Sequence, residues 1–332
     1  YDALQADKVL FAQIDDNGQW KVISHFTLGF HTDHHQLNKS YSIGDGNTYL
    51  EDDNGLRLYN PYTGKSGHIL YNGFNGDVNY VGNHYIYLKP YSSSYPRQIW
   101  NAETATKLNI EFADGETPVY VVNGDLLYTK DSDGSYWRYE MGQRNPFTPE
   151  GSPSIDAESF GQYVWYLHDG CVVRWNVLDG TFDKSQQLVT ERNCYITATE
   201  NHIAIYAYES PSYNIKWIVA KNDLSRTLEL DPVIESRGKL CPIRGDKLLL
   251  NIEGMDEQGK RTTIIKIVDD GQNIALETVL DKTESMFNFV VIDVESGSID
   301  TVDYDDAESL ISDRGVLALY GIQDNGNAIV AT

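Results

Sequence analysis

The feature that most constrains the fold is a short element that recurs along the chain. It consists of an apolar strand, then Asn or Asp, then two or three variable residues and a small turn pair. Around its clearest copy, the turns His168-Asp169-Gly170 and Asp179-Gly180 predict three consecutive strands within residues 163–188, because Gly accepts the positive φ of tight hairpin turns. The copies are residues 56–64 (LRLYNPYTG), 98–105 (QIWNAETA), 172–180 (VVRWNVLDG) and 290–297 (VVIDVESG). Repetition of this element predicts a series of similar β units.

The unit length points to one architecture. A strand rich in Tyr, Leu and Ile recurs, and six of its copies begin 37 to 44 residues apart. Four strands in about 40 residues is the spacing of propeller blades, in which small twisted sheets bury their faces against one another. The copies are residues 47–50, 84–88, 125–129, 163–167, 202–206, 246–250 and 315–320.

The two ends of the chain complement each other. Residues 8–15 and 20–26 predict a hairpin without inner strands, and the last unit lacks outer strands. We therefore expect the N-terminal hairpin to join the last blade and close the ring. The prediction is an all-β, seven-bladed β-propeller. Eight blades are the alternative, because residues 262–268 and 274–280 form either an inserted hairpin or part of a further blade.

These elements predict one domain over residues 1–332. It comprises a closing hairpin (1–26), a connection (27–40) and repeated units (41–332) with an insertion near 262–280. Residues 287–294 and 298–303 are predicted to complete the sixth blade.

On the four quoted copies and their spacing, the chain resembles β-propeller repeat proteins, most of all the degenerate WD40-like and TolB-like propellers of bacteria. The resemblance is one of architecture, and no Gly-His followed by Trp-Asp signature occurs. Propellers include binders, scaffolds and enzymes, so the function has to be inferred from the site.

Composition excludes some functions. With 26 Lys and Arg against 49 Asp and Glu, the net charge is −23, which would repel polyanions, so we predict no nucleic-acid partner. No run approaches the roughly 18 apolar residues of a membrane helix. The three Cys lack a CxxC spacing, so neither a disulfide framework nor a zinc site is indicated. Because the chain starts at Tyr1, we expect a monomeric, extracytoplasmic (secreted, periplasmic or cell-surface) domain of a longer protein.

One local cluster has the residue types of metal ligands. His31, His34 and His35 surround Asp33, and imidazoles bind divalent transition metals. The spacing fits no helical zinc motif, so we expect no cofactor, with a divalent metal at these histidines as the alternative. Some propeller polysaccharide lyases bind a metal through histidines. The alternative function is therefore a metal-dependent polysaccharide lyase or glycoside hydrolase.

Two tyrosine-bearing segments are the predicted binding residues. Residues 89–97 (KPYSSSYPR) and 208–216 (YESPSYNIK) are expected to be loops that join second to third strands and share a rim with the histidine segment. Tyr offers a large, rigid contact area, which suits recognition loops. The favoured function is non-enzymatic binding of a protein or glycan, and the predicted contact residues are Tyr91, Tyr95, Tyr208, Tyr213 and Arg97.

Overall fold

A computed structural model describes the strands and many of the turns. The described residues are 8–14, 20–27, 39–42, 48–52, 55–59, 66–68, 76–82, 85–92, 96–101, 104, 106–111, 113–153, 158–190, 193–210, 212–236, 240–243, 245–253, 260–284, 289–292, 299–302, 318–322 and 327–331. Side chains are described only between residues 76 and 281, with gaps. Within these residues every regular element is a β-strand.

The strands in chain order are β1 (Lys8–Ile14), β2 (Trp20–Thr27), β3 (Lys39–Ser42), β4 (Thr48–Asp52), β5 (Gly55–Tyr59), β6 (Ser66–His68), β7 (Gly76–Tyr80), β8 (Tyr85–Pro90), β9 (Gln98–Asn101), β10 (Thr106–Lys107), β11 (Thr117–Val121), β12 (Leu126–Lys130), β13 (Tyr136–Glu140), β14 (Gln143–Phe147), β15 (Glu158–Phe160), β16 (Tyr163–His168), β17 (Cys171–Asn176), β18 (Thr181–Lys184), β19 (Cys194–Ala198), β20 (His202–Glu209), β21 (Ser212–Ala220), β22 (Thr227–Ser236), β23 (Cys241–Ile243), β24 (Lys247–Glu253), β25 (Lys260–Asp269), β26 (Ile274–Glu284), β27 (Phe289–Ile292), β28 (Ile299–Val302), β29 (Ala318–Ile322) and β30 (Asn327–Ala331).

Most of these strands form four-stranded antiparallel sheets in simple chain order. The sheets are β3–β6, β7–β10, β11–β14, β15–β18, β19–β22 and β23–β26. The recurring Tyr-, Leu- and Ile-rich strand is the second strand of each, as β16 and β20 illustrate. This strand is strongly buried in several sheets: β8 and β12 are buried at their first four positions, and β20 is buried at six successive positions from His202. The predicted repeat of strands is therefore confirmed.

The first and last hairpins share a seventh four-stranded sheet, in the order β2-β1-β30-β29. Val9 lies opposite Ala331 and Gln13 opposite Asn327. The predicted pairing of the N-terminal hairpin with the last unit is thus confirmed. The predicted strand at 315–320 corresponds to β29, which lies at the edge of this sheet, and β30 takes the second position.

The predicted insertion near residues 262–280 is wrong in its topology. These residues lie in β25 and β26, the third and fourth strands of an ordinary sheet, and Thr263 lies opposite both Leu250 and Asp281. The predicted final strands of that unit instead fall on β27 and β28, which pair with each other as a two-stranded sheet. β25 and β26 are 10 and 11 residues long. They make this unit longer than the others, and the extra length was wrongly interpreted as an insertion.

The Asn of the recurring element has a local role at the end of the third strand. The side-chain oxygen of Asn176 accepts a hydrogen bond from the Leu178 N–H at 3.1 Å, and its amide nitrogen donates to Asp179 at 2.9 Å. Asn101 accepts in the same way from the Thr104 N–H at 3.0 Å. A short polar side chain here satisfies backbone donors in the turn, which explains why Asn or Asp recurs.

The chain divides into two compact units, of which one comprises residues 38–60 and 65–191. Its described cores lie between successive sheets. Ile99 and Tyr87 pack with Leu127, which joins β7–β10 to β11–β14. Tyr128 packs with Trp175, which joins β11–β14 to β15–β18. Each sheet therefore buries a face that it cannot cover alone.

The other unit comprises residues 1–37, 61–64 and 192–332. Its largest described core lies between sheets β19–β22 and β23–β26. Ile215 and Ile218 from the first sheet pack with Leu248 and Ile265 from the second, and all four are at most 4% exposed. This interface positions the two side-chain clusters described next.

Candidate functional site

Of the predicted loop at residues 89–97, residues 89 and 90 belong to the end of β8, whereas Tyr91 lies beyond that strand and residues 96 and 97 precede β9. Tyr91 is 67% exposed, and its hydroxyl donates a hydrogen bond to the Asp77 carboxylate at 2.9 Å. Tyr95 lies outside the described residues, as do His31, His34 and His35. Their predicted roles in binding and metal coordination stay predictions.

Arg97 is directed toward the neighbouring sheet. Its Nη1 donates to the backbone carbonyl of Glu116, and its Nη2 lies 3.7 Å from Oδ1 of Asp114. Burial raises the pKa of the Tyr87 hydroxyl, while the Arg97 guanidinium beside it acts in the opposite direction. These contacts indicate that Arg97 helps to pack two sheets together.

The loop predicted at residues 208–216 is wrong. Tyr208 belongs to β20 and Tyr213 to β21, so only Ser210 and Pro211 separate the two strands. The two tyrosines lie directly opposite each other. Tyr has a high preference for strands, and an aromatic pair on facing strands stabilises a hairpin. The two strands therefore stay paired up to the turn of this hairpin.

Tyr208 and Tyr213 form part of a continuous cluster of four tyrosine rings. The ring centroids of Tyr208 and Tyr213 are 5.0 Å apart, and those of Tyr213 and Tyr206 are 5.7 Å apart. Tyr206 in turn stacks on Tyr195 at 5.7 Å. We call these four residues the tyrosine cluster. It crosses β19, β20 and β21 at one end of their sheet.

The tyrosine cluster has a buried base and exposed ends. Tyr206 is only 8% exposed and packs with Ile215 and Leu250 in the core between the two sheets. Tyr195 and Tyr208 are 49% and 42% exposed. A rigid base that holds exposed aromatic surface is suited to recognition, because little conformational freedom is lost on binding.

The opposite face of the same hairpin is polar and internally paired. Glu209 accepts a hydrogen bond from the Asn214 amide at 2.9 Å and lies 3.0 Å from the Lys216 ammonium group. The Ser212 hydroxyl donates to Glu235 on the next strand. These contacts stabilise the tip of the hairpin. The polar groups lie on one face of the hairpin, and the tyrosine rings lie on the other.

Tyr195 and Tyr206 were not predicted as site residues. Tyr206 lay within the predicted strand 202–206, and the spacing of Tyr206 and Tyr208 by two residues places them on one face. The missing information was the register, in which Tyr195 lies opposite Tyr206.

A second cluster lies at the other end of the same two sheets. The imidazole of His202, 2% exposed, lies between two carboxylates: Nε2 is 3.1 Å from Oδ2 of Asp269, and Nδ1 is 3.4 Å from Oδ1 of Asp246. Asp269 also pairs with the Arg226 guanidinium at 2.5 Å. We call these four residues the histidine–aspartate cluster.

Hydrogen bonds hold both carboxylates in their ionised form. Burial acts to raise the pKa of Asp246, but hydrogen bonds from His202, Asn201 and Thr199 outweigh it and lower the pKa well below the usual range. The hydrogen bond from Arg226 is the main cause that lowers the pKa of Asp269. This cluster joins turns of two sheets, with His202 and Asp246 buried and Arg226 and Asp269 partly exposed, which is typical of a structural ion network.

A third polar cluster surrounds a buried carboxylate in sheet β11–β14. Glu116 is 1% exposed and accepts hydrogen bonds from Thr129 at 2.6 Å, Tyr139 at 2.9 Å and the Arg144 Nε at 2.8 Å. The Arg144 guanidinium in turn lies 3.3 Å from the ring centroid of Trp137. Every donor serves the carboxylate, so this cluster too is structural.

Within the described side chains, no group of three or more His, Cys, Asp or Glu is arranged to hold a metal ion. The described strands and turns likewise include no helix long and apolar enough to span a membrane. Among the described residues of these clusters, Tyr195 and Tyr208 present exposed aromatic rings, and Arg144 is exposed beside the buried Glu116 carboxylate.

No protein-family model matches the sequence, and no curated protein matches it. Similar solved structures include the computationally designed Ika8 protein, at 12% identity and a TM-score of 0.42, over 91% of this chain and 98% of that one. A chain in the Mitotic Checkpoint Complex matches at 10% identity and a TM-score of 0.41, over 89% and 87%. TolB from Acinetobacter baumannii matches at 9% identity and a TM-score of 0.34, over 65% and 61%. The likeness is one of architecture, as predicted. By its own sheets the chain is an all-β repeat protein with four-stranded units of the propeller-blade type.

Proposed function

We propose that this protein is a non-enzymatic recognition module that binds a protein or glycan partner through the tyrosine cluster. The observation that carries the proposal is the half-exposure of Tyr195 and Tyr208 on a buried aromatic base. Tyr is enriched at binding sites because its ring is large and apolar and its hydroxyl group is polar. The histidine–aspartate cluster and the Glu116 cluster are built around buried or half-buried ion pairs and do not offer a comparable pair of exposed rings.

The proposal includes a closed ring of seven blades, with eight as the alternative. Among the described strands, seven four-stranded sheets support seven blades, and the separate two-stranded sheet β27–β28 leaves eight blades as the alternative. The shared sheet of the first and last hairpins supports closure. Location outside the cytoplasm and a monomeric state are kept as predictions from the sequence.

The enzymatic alternative depends on residues outside those described. A metal-dependent lyase or glycoside hydrolase would use His31, His34 and His35, so it stays a prediction. Metal analysis of the purified protein after dialysis tests it. Stoichiometric metal that is lost in a His34→Ala, His35→Ala variant would favour the enzyme.

The binding proposal is tested with a glycan array and a displayed peptide library, each probed with the same set of proteins. The set comprises the wild type, a Tyr195→Ala, Tyr208→Ala variant and a Met141→Ala control. Met141 is 83% exposed in a turn of the unit that comprises residues 38–60 and 65–191. The Met141→Ala variant therefore also removes exposed apolar surface, but at a distance in sequence from the tyrosine cluster.

Ligands captured by the wild type and the control, but weakened roughly tenfold or more by the tyrosine variant, support the proposal. If all three proteins capture the same ligands equally well, the site lies elsewhere. If neither array yields a ligand for the wild type, the proposal fails for both partner classes. Thermal denaturation of each variant checks that folding is intact.

A further inference from the structure

In the unit that comprises residues 38–60 and 65–191, several aromatic rings contact a positively charged side chain. Four of them lie under the chain's own cations. The centroid of the Trp137 ring is 3.3 Å from the Arg144 guanidinium, and the Tyr163 ring is 5.3 Å from Arg174. Lys130 covers Tyr136 at 5.0 Å, and Arg138 approaches Tyr128 at 5.8 Å. A cation over a ring face is attracted by the negative potential of that face.

The tyrosine cluster differs in this respect. In the part of the chain that the structure describes, Tyr195, Tyr208 and Tyr213 contact other tyrosine rings, and no cation lies over them. The nearest basic residue along the hairpin, Lys216, is held by Glu209 at 3.0 Å on the polar side. As far as the described residues extend, these rings are therefore open to a cation from outside.

The charges of sheet β19–β22 favour such a cation. Residues 193–236 contain six acidic and three basic residues. Lys221 donates to the Thr199 carbonyl, and Arg226 pairs with Asp269, both at the far end of the sheet. Glu229 and Asp231 are exposed on the edge strand β22. Together with the net charge of −23, this distribution attracts cationic partners and repels anionic ones.

We propose that the tyrosine cluster binds a basic segment of a protein partner, with an Arg or Lys side chain laid over the exposed faces of Tyr195 and Tyr208. The inference rests on the proposed recognition function and narrows it to one partner class. Arg fits best, because its planar, weakly hydrated guanidinium stacks on aromatic rings. Long-range attraction brings the segment to the protein, and the rings select its position.

The test uses a short synthetic peptide of arginine, glycine and serine, and a copy with citrulline in place of arginine. Citrulline keeps the shape of the side chain and removes its charge. Binding is measured by calorimetry at near-physiological salt, which screens non-specific attraction between a basic peptide and an acidic protein.

The proteins are the wild type, Tyr195→Ala with Tyr208→Ala, and Tyr195→Phe with Tyr208→Phe. A fourth variant, Glu229→Gln with Asp231→Asn, changes charge on the same sheet and leaves the rings intact. The Phe variant keeps the ring faces and therefore serves as the rescue control.

We expect the arginine peptide to bind the wild type and the Phe variant, the Ala variant to bind roughly tenfold more weakly or worse, and the citrulline peptide not to bind. The charge variant should lose less than the Ala variant. Equal binding to the wild type and the Ala variant would show attraction without a site and overturn the inference.

The inference also fails if the arginine peptide does not bind while the arrays yield a tyrosine-dependent glycan or neutral peptide. In that case the recognition function stands and only the partner class is wrong. If no tyrosine-dependent ligand is found in either experiment, both proposals fail.

Discussion

The imidazole Nε2 of His202 lies 3.1 Å from Oδ2 of Asp269. The two residues are 67 positions apart and belong to neighbouring sheets. The same aspartate accepts the Gly271 N–H at 2.8 Å and pairs with Arg226, so one carboxylate connects three turns.

Substitutions at Asp246 should separate charge from backbone strain. Asp246 has a φ of 55° and accepts hydrogen bonds from Asn201 and Thr199. Asn tolerates this φ and keeps the shape, so Asp246→Asn should lower the free energy of unfolding by about 1–2 kcal/mol. Asp246→Ala loses every acceptor and adds left-handed strain, so it should cost about 1 kcal/mol more. Urea denaturation of both variants measures the difference, and equal values would mean that the backbone there relaxes.

The low pKa values of Asp246 and Asp269 predict a dependence of stability on pH. An unfolded Asp titrates near pH 3.9, and the folded pKa lies lower. The stabilisation is therefore present above about pH 3.9 and is lost as the pH falls through that value toward the folded pKa.

The measurement is the urea midpoint from about pH 7 down to about pH 3, for the wild type and an Asp269→Asn variant. The gap between the two midpoints should be largest at neutral pH and should narrow as the pH falls below about 4. Glu229→Gln, at an exposed position, is the control and should follow the wild type. A gap that stays constant across the range would contradict the role of the Asp269 charge.

Gly170 should tolerate no side chain. It has a φ of 76°, and a Cβ built there would lie 1.9 Å from the Val189 carbonyl oxygen. Gly170→Ala should cost about 3 kcal/mol or more, because backbone has to move. Gly134 has a φ of 95° with open space around it, so Gly134→Ala should cost only the conformational term of about 1–2 kcal/mol. Similar melting temperatures for the two variants would refute the steric argument.

The carboxylate of Glu116 should be more important for stability than an exposed one. Its three side-chain donors are Thr129, Tyr139 and Arg144, and removal leaves them without an acceptor. We expect Glu116→Ala to destabilise by about 3 kcal/mol and Glu116→Gln by less, since the amide oxygen still accepts. The exposed Glu111 is the matched control, and its Ala variant should remain within about 0.5 kcal/mol of the wild type. An equal loss in the two Ala variants would assign no special role to Glu116.

Local signals predicted most of the strands. The apolar runs and Asp-Gly turns of residues 163–188 gave β16, β17 and β18, because strand preference and turn geometry depend on a few neighbouring residues. The pairing of β25 and β26 with β24 was missed, since it depends on contacts that no local pattern specifies.

The candidate site likewise combines features that local sequence predicts with contacts that it does not predict. Tyr208 and Tyr213 were predicted as anchors from their residue type, but their place in strands was missed because Ser210 and Pro211 suggested a longer loop. The contact of Tyr206 with Tyr195 requires the strand register. The proximity of His202 to Asp269 requires the packing of two sheets, which lies beyond any sequence pattern.

The pairing of β1 with β30 has a consequence for how the protein is made. Val9 and Ala331 lie opposite each other, about 320 positions apart. At a synthesis rate of about 5–20 residues per second, the ribosome finishes β30 roughly 15–60 seconds after β1 has been made. During that interval the inner edge of β1 has no permanent partner and is open to wrong pairing. The nascent chain is therefore open to wrong pairing at β1 throughout that interval, and a chaperone that covers this edge should raise the yield of folded protein.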